Sequence, residues 1–591
     1  MSEKLSDYLA RRLADDYGVR DVFMVSGGGA MHINDSFGKT FRCFCNHNEQ
    51  ASGLAGEAYA RAGDRLAVVS VTTGPGGLNA LNGVFGSWTD SVPVLFISGQ
   101  VKRATNKTYR RLPRLRQLGD QEVDIVAAVR DLTKYAVTVT KPEEIAFHLD
   151  KAVYLALHGR KGPVWLDIPV DVQSSQIDER SLKKFKAPKK PTYDLKMKKV
   201  VRKLSAAKRP LIVAGYGLRL SGQTELFNAW SLKNAVPVVT TLNGFDQIAE
   251  NDGNYVGRIG TIGQRGANFA LQNADCVLFL GTRNNIRQAS YAFENFAKNA
   301  FKIVVDIDKE ELKKPTVRPD LAVCADLADF MPAFARQMPA LFRYEWLDWC
   351  RARRFRYDFA HTPQYRHQNG KINAYAAVRA IDNAVEKDGV CVMANATTTI
   401  CTFQTAEIKS GQRFFSNSGD ASMGYDLPAA IGACVAKGNA KTVCLAGDGS
   451  VMMNLQELQT IVHYRLPIKI FIINNDGYVS IKQTQHNFFA GRECGAGRDS
   501  GVSMPDFVKI GKAFGLKTLR ADTPDTLLKT IRAAMDGDEP VLCEIVVDEN
   551  ETFIPKLASR QNPDGTISSP SLEDMYPFLP RDEFADNMIS P

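Results

Sequence analysis

The stretch GDGSVMMNLQELQTIVHYRLPIKIFIINNDGY, residues 447–478, decides how the rest of the chain is read. The apolar run TVCLA (442–446) leads into Gly447-Asp448-Gly449, and IKIFII (468–473) leads into Asn474-Asn475. Near-continuous apolar runs of this kind are expected of strands buried on both faces. Between them lies a helix-length segment in which Asn454 and Glu457 have the spacing of a capping box. GDG and NN are separated by 24 residues. A right-handed strand–helix–strand unit of that length predicts Asp448 and Asn475 at neighbouring carboxyl ends of parallel strands, where open α/β sheets bind ligands. One carboxylate and one amide oxygen suit a hard cation such as Mg²⁺, which takes few protein ligands and completes its shell with phosphate and water. The flanking glycines allow the backbone to approach a diphosphate.

Working outward, the same run-and-helix alternation recurs along all 591 residues. LAVVSV (66–71) and VPVLFISG (92–99) precede it; PLIVAGYG (210–217), ADCVLFLG (274–281) and KIVVDID (302–308) fill the middle. The reading is an α/β chain with three doubly wound parallel-sheet domains, at 1–180, 195–345 and 372–550, and a tail at 551–591. SLKKFKAPKKPTYD (181–194) and RARRFRYDFAHTPQYRHQNGK (351–371) read as linkers. Composition is ordinary for a globular protein, with 44% hydrophobic and 24% charged residues. No apolar run approaches a membrane span, and MSEKLSDYLARRLADDYG at the start is no signal peptide. A cytoplasmic protein without membrane association is expected. Eleven scattered cysteines without a CxxC pair speak against a disulfide framework or zinc site. The net charge of +9 is modest for the length and favours anionic ligands without implying nucleic acid.

The GDG–NN arrangement resembles the thiamine-diphosphate signature of the pyruvate decarboxylase and acetolactate synthase superfamily. The resemblance implies that Asp448 and Asn475 bind Mg²⁺ by side chain and Gly477 by its carbonyl, with Gly447, Gly449 and Ser450 beside the cofactor. It assigns the three domains as pyrimidine-binding, central flavin- or nucleotide-type, and diphosphate-binding. FCNHNEQASGLAGEAYARAGDRLAVVSVTTGPGGLNALNG (44–83) is similar to the family's first-domain segment, with Glu49 where a glutamate protonates the aminopyrimidine ring and Gly74 in the cofactor set. FSNSGDASMGYDLPAAIGA (415–433) resembles the segment gripping that ring, Met423 being the apolar residue under the cofactor. Active sites of this superfamily form between subunits, so a homodimer or homotetramer is expected.

Within the superfamily, GYG (215–217), TTLNG (240–244), GTRNNIR (281–287) and DID (306–308) follow the order of the acetolactate synthase flavin site. Gly215, Thr241, Arg283, Arg287 and Asp306 are then expected to bind a redox-silent FAD. SGGGA puts Gly29 where pyruvate decarboxylase has an aspartate, and its adjacent histidine pair is missing, which disfavours release of free aldehyde. Gln121 in GDQEVDIV matches a catalytic glutamine that bonds the donor's developing hydroxyl, while Asp120 stands at a phenylalanine position. SIKQTQ (480–485) places Ser480 and Thr484 where synthases carry the Met and Trp of a 2-ketoacid pocket, and with Lys482 they are expected to line the acceptor side. Pyruvate as donor with a larger, hydroxylated ketone acceptor is expected, similar to the flavin-containing acetyl-transferring enzymes of branched-chain (yersiniose-type) sugar biosynthesis. Acetolactate synthase and a flavin-dependent pyruvate oxidase are the alternatives. VKRATNKTYRRLPRLRQ (101–117) holds seven Lys or Arg and no acid, which invites a nucleic-acid reading; leading into Gln121, it reads better as a grip on one nucleotide diphosphate, with Arg110 and Arg111 among its candidates. DGTISSPSLEDMYPFLPRDEF (564–584) is read as a flap over the site.

Overall fold

The computed structural model describes residues 2–112, 114–366, 370–561 and 564–589. Three six-stranded sheets dominate it, each wholly parallel. The first contains β1 (Asp21–Met24), β2 (Arg42–Cys45), β3 (Ala67–Val71), β4 (Val94–Gln100), β5 (Ala136–Thr138) and β6 (Val164–Pro169), in the spatial order β2-β1-β3-β4-β6-β5. The second contains β7 (Pro210–Ala214), β8 (Val238–Thr240), β9 (Tyr255–Arg258), β10 (Cys276–Leu280), β11 (Phe301–Asp306) and β12 (Leu321–Cys324), ordered β9-β8-β7-β10-β11-β12. The third contains β13 (Val390–Met393), β14 (Arg413–Phe415), β15 (Thr442–Gly447), β16 (Ile468–Asn474), β17 (Lys517–Ala521) and β18 (Val541–Val546), ordered β14-β13-β15-β16-β18-β17. First and third sheets therefore share one topology, and the middle one has the order of dinucleotide-binding sheets. The repetition suspected from the sequence holds for two of the three units.

Five helices position the sites: α1 (Glu49–Gly63), α2 (Arg265–Asn273), α3 (Tyr344–Arg356), α4 (Asp426–Ala436) and α5 (Val479–Phe488). The Gly/Ala-rich α1 lies directly on α4, joining the first unit to the third. A Cβ on Gly432 would stand 1.9 Å from the Ala55 carbonyl oxygen, so only glycine permits this approach. Beneath the junction Arg61, fully buried, pairs with Glu57 and, at 2.9 Å, with Asp90. Asp90 also accepts from Asn243 Nδ2 of the middle unit at 2.8 Å, and Arg61 lies over the rings of Tyr216 and Phe415.

Two sequence expectations change here. Residues 351–356 belong to α3 and are no linker: Trp346, Leu347 and Cys350 pack inward, while Arg354 donates to Tyr255 O and Glu250 and Arg353 stacks 3.9 Å from Trp349. The basic composition hid a helix with three buried residues and tethered cations. The tail is no flap over Asp448. Its Met575 and Pro577 carbonyls accept from Arg265 on α2, Glu573 accepts from Gln272, and Tyr357 donates to Glu583, which fastens it to the middle unit. Among the described residues no helix is long and apolar enough to cross a membrane.

Removing Arg61 takes the nearest cation from two buried carboxylates, leaving Asp90 only the more distant Arg283, at 3.7 Å. Arg61→Ala should cost about 3–5 kcal/mol and lower the thermal unfolding midpoint, whereas Glu57→Gln, Arg61→Met and Asp90→Asn combined should recover much of that loss. Scanning calorimetry of the wild type and the two variants checks this.

Candidate active site

Strands β15 and β16 are neighbours, with Gly447 in register with Ile473, so their carboxyl ends lie side by side. Asp448 follows one and Asn475 the other. The Asp448 carboxylate accepts from Gly449 N at 2.7 Å, Gly477 N at 3.0 Å and Asn475 N at 3.1 Å. Burial nevertheless outweighs these donors and pushes its pKa up to about 6. Asn475 Nδ2 donates to Thr397 Oγ1 at 3.1 Å, which leaves the amide oxygen as the free acceptor. Gly477 has φ 128°, and a Cβ there would meet Ala496 O at 2.5 Å. In front of Gly447 the space is open: a Cβ would find only Ser450 Cβ, at 3.9 Å. A carboxylate, a free amide oxygen and an open backbone cradle fit Mg²⁺ and a diphosphate. Gly449 is glycine for a different reason, since the Tyr478 ring would stand 2.1 Å from its Cβ.

The capping box expected of Asn454 and Glu457 does not form. Asn454 Nδ2 donates to Gly424 O at 2.8 Å, and Glu457 accepts from Asn46 Nδ2 and His47 N at 2.8 and 2.9 Å. Both side chains serve tertiary contacts, the second tying the third unit to the loop before Glu49. Ser450 Oγ accepts from Gly424 N at 2.9 Å, which sets Met423 beside Gly449.

In the first unit, Asn48 caps α1 and Glu49 opens it. Glu49 Oε2 accepts from Asn79 Nδ2 at 3.0 Å, and Oε1 lies 3.4 Å from where a Cβ on Gly76 would sit. Two residues earlier, a Cβ on Gly74 (φ 64°) would stand 2.0 Å from the Gln121 carbonyl oxygen. Glu49 and Gln121 thus converge on the Gly74-Pro75-Gly76 turn. Gln121 itself is exposed and has φ 59°. Among the described residues no hydrogen bond or ion pair joins Glu49 to Asp448 or Asn475.

The basic segment is an exposed loop whose two ends are tied down. Glu122, buried, accepts the backbone N–H groups of Lys107, Leu118 and Gly119 at 2.5, 2.9 and 3.1 Å, and Arg103 pairs with Asp171 at 2.8 Å. Arg110, Arg111, Arg114 and Arg116 are exposed, and among the described residues no carboxylate lies within 4 Å of them. On α5, Ser480 and Thr484 share a face. Lys482 points elsewhere, its Nζ donating to Asp476 O at 2.9 Å.

A cavity enclosing about 1430 Å³, open mouth included, lies at the carboxyl ends of the middle sheet. Thr241, Arg283, Arg287 and Asp306 line it; Gly215, adjoining the lining residue Tyr216, packs against Gly281 O. Asp306 is pushed up to about 6 by burial, and Arg287 is lowered from its usual value for the same reason. Arg283 pairs with Asp90 at 3.7 Å, and Arg160 of the first unit with Asp308 at 2.9 Å. Cations lining a nucleotide-sized groove at a topological switch point suit a dinucleotide. Sequence reasoning missed Thr397, Glu122, Asp90 and Arg160, none of which has a local pattern to mark it.

Three family models match: the N-terminal TPP binding domain of thiamine pyrophosphate enzymes over residues 3–128, the central domain over 197–334, and the C-terminal TPP binding domain over 395–545. The acetolactate synthase large subunit of Cyanidium caldarium is 30% identical over 561 residues, 91% of this chain and 92% of its own. That of Lactococcus lactis subsp. lactis (strain IL1403) is 29% identical over 563 residues, covering 93% and 94%. The acetolactate synthase isozyme 2 large subunit of Escherichia coli (strain K12) is 29% identical over 560 residues, covering 94% and 97%.

Because Asp448 has a folded pKa of about 6 against an ordinary 3.8, the folded chain binds this proton more tightly than the unfolded one. Its buried charge costs stability above about pH 6, and the cost fades as pH falls toward 3.8. A metal needs the charged form. Calorimetric titration of the cofactor-free protein should therefore show Mg²⁺ affinity falling roughly tenfold per pH unit below about pH 6; constant affinity down to pH 4.5 would contradict it.

Proposed function

The chain belongs to the thiamine pyrophosphate enzymes of acetolactate-synthase-like type, and from that premise we propose that it decarboxylates pyruvate and transfers the two-carbon acetyl unit to the ketone of a nucleotide-activated keto-deoxysugar. Pyruvate loses its carboxylate as carbon dioxide, its former keto carbon bonds to the acceptor's carbonyl carbon, and the acceptor oxygen takes a proton. When bound, thiamine diphosphate supplies the nucleophile and the electron sink for this chemistry. Asp448, Asn475 and the Gly477 carbonyl would hold Mg²⁺, with Gly447, Gly449 and Ser450 at the diphosphate and Met423 beneath the cofactor. Glu49 would hold a proton at the aminopyrimidine ring, and Gln121 would bond the donor's oxygen where negative charge develops. Thr241, Arg283, Arg287 and Asp306, next to Gly215, would bind a redox-silent FAD in the central cavity. Glu49 and the Asp448 group lie in different units, which supports a homodimer or homotetramer whose sites are completed by a second copy.

The observation carrying the acceptor reading is the fastened loop that runs into Gln121 with four arginines lacking acidic partners. Planar guanidinium groups chelate phosphate oxygens bidentately, and a nucleotide-linked sugar offers a diphosphate there. Arg110 and Arg111 lead that set, with Ser480 and Thr484 on the acceptor side. The second reading, acetolactate synthase with a 2-ketoacid acceptor, is favoured by the relatives named above.

Product analysis with pyruvate and a panel of ketoacids, aldehydes and nucleotide-linked ketosugars decides between them. A branched nucleotide sugar is expected; acetolactate from pyruvate alone at a competitive rate would reject the sugar acceptor, and oxygen consumption with flavin bleaching would reject both. Replacing Arg110, Arg111, Arg114 and Arg116 by serine should raise the acceptor KM at least about tenfold, one lost charge-assisted bond's worth, and spare pyruvate decarboxylation. Glu49→Gln should lower kcat by about 10²–10⁴-fold, measured as carbon dioxide release.

A further inference from the structure

Behind Gln121 lies a buried polar relay that the chemistry above does not use. Gln100 ends β4, and its side-chain Nε2 donates to Val123 O at 2.9 Å and to Asp167 Oδ2 at 3.2 Å, while its Oε1 accepts from Val101 N at 3.0 Å. Asp167 sits on the adjoining β6, in register with Ser98, and also accepts from Ser98 Oγ at 2.7 Å and Thr138 Oγ1 at 2.9 Å. Both Gln100 and Asp167 are 1% exposed. Among the described residues no lysine or arginine comes within 4 Å of Asp167. An unpaired buried carboxylate is costly, and apolar residues would fill the same space more favourably, so its retention asks for a task.

The task is visible in what Gln100 grips. Val123 lies two residues beyond Gln121, whose φ of 59° is in the left-handed region that side chains rarely occupy. Such a conformation persists only when its neighbours over-determine it. On one side the Gln121 carbonyl is pressed against Gly74, and upstream Glu122 gathers the loop. On the other side the Val123 carbonyl is held, among the side chains of the described residues, by Gln100. A free Gln100 amide could rotate away; with one N–H committed to Asp167, its orientation is set.

We propose that Gln100 and Asp167 are positioning residues for Gln121: Asp167 orients the Gln100 amide, and Gln100 anchors the Val123 carbonyl so that Gln121 is delivered to the Gly74 turn beside Glu49. The inference rests on the role of Gln121 given above. The experiment is a double-mutant cycle on the holoenzyme, loaded with thiamine diphosphate and Mg²⁺, following carbon dioxide release from pyruvate. Gln100→Ala should lower kcat by up to about 100-fold, as a misplacement near 1 Å does, with pyruvate KM and cofactor affinity unchanged and with a fall in melting temperature, since buried acceptors lose their donor, that leaves the enzyme fully folded at the assay temperature. Asp167→Asn, which keeps the shape and loses the acceptor, should give a smaller loss in the same direction. In a Gln121→Ala background neither change should matter further, because residues acting through one another are non-additive. Losses that multiply with that of Gln121→Ala, or a fall in melting temperature with kcat intact, would overturn the positioning role while leaving Gln121 in place. An unimpaired Gln121→Ala enzyme would instead remove the role of Gln121, and this inference with it.

Discussion

The architecture hangs on one buried cation. Arg61 projects from the helix that Glu49 begins, and its fully buried guanidinium meets the buried carboxylates of Glu57 and Asp90. Around it stand Tyr216 of the middle sheet unit and Phe415 of the third, while Asp90 reaches Asn243 and Arg283. A charge pair in such surroundings gains from every neighbour and tolerates the loss of none. The three sheets are thus held in register by a directional contact, where apolar packing alone would leave their relative orientation loosely defined. The same aspartate borders the central cavity, so the geometry of that cavity depends on the junction as well.

Around the Asp448 cradle, backbone does most of the shaping. Three N–H groups from two strand ends converge on one carboxylate, and the Asn475 amide oxygen is left unengaged while Thr397 occupies its nitrogen. The side chain is buried deeply enough that its ionisation moves toward neutrality. A group in that condition is no ordinary surface acid, and the space before Gly447 is open enough for the backbone to be approached closely. In the first unit a comparable economy holds: one glycine-rich turn, Gly74 to Gly77, is the floor against which both Glu49 and Gln121 rest.

Much of this was legible in the chain. Apolar runs such as TVCLAG and VLFISGQ are strands because every residue in a parallel sheet covered on both faces must be apolar, or nearly so, and the alternation with helices follows. The spacing of Asp448 and Asn475 translated directly into adjacent strand ends, since one crossover connection has one hand. What misled was polarity without context. Asn454 and Glu457 have the spacing of a local motif but spend their side chains on Gly424, Asn46 and His47. The arginines from 351 to 356 read as a solvated linker although they clothe the outer face of a helix. The tail segment lies on the middle unit because Arg265, Gln272 and Tyr357 offer partners there, a pairing across more than two hundred residues.

By itself, then, the sequence determined the fold class and the adjacent strand ends that carry Asp448 and Asn475, because periodicity and short-range spacing encode these locally, and its motifs pointed to the thiamine pyrophosphate enzymes. Only the tertiary structure decided that Gln121 and Glu49 meet at one turn, that Glu122 closes the basic loop, and that Thr397 turns the Asn475 oxygen outward. It alone showed that Arg61 locks three units together. Each of these is a contact between residues far apart in the chain, whose partners are chosen by packing and by the need to satisfy every buried polar group, and no local pattern records that choice.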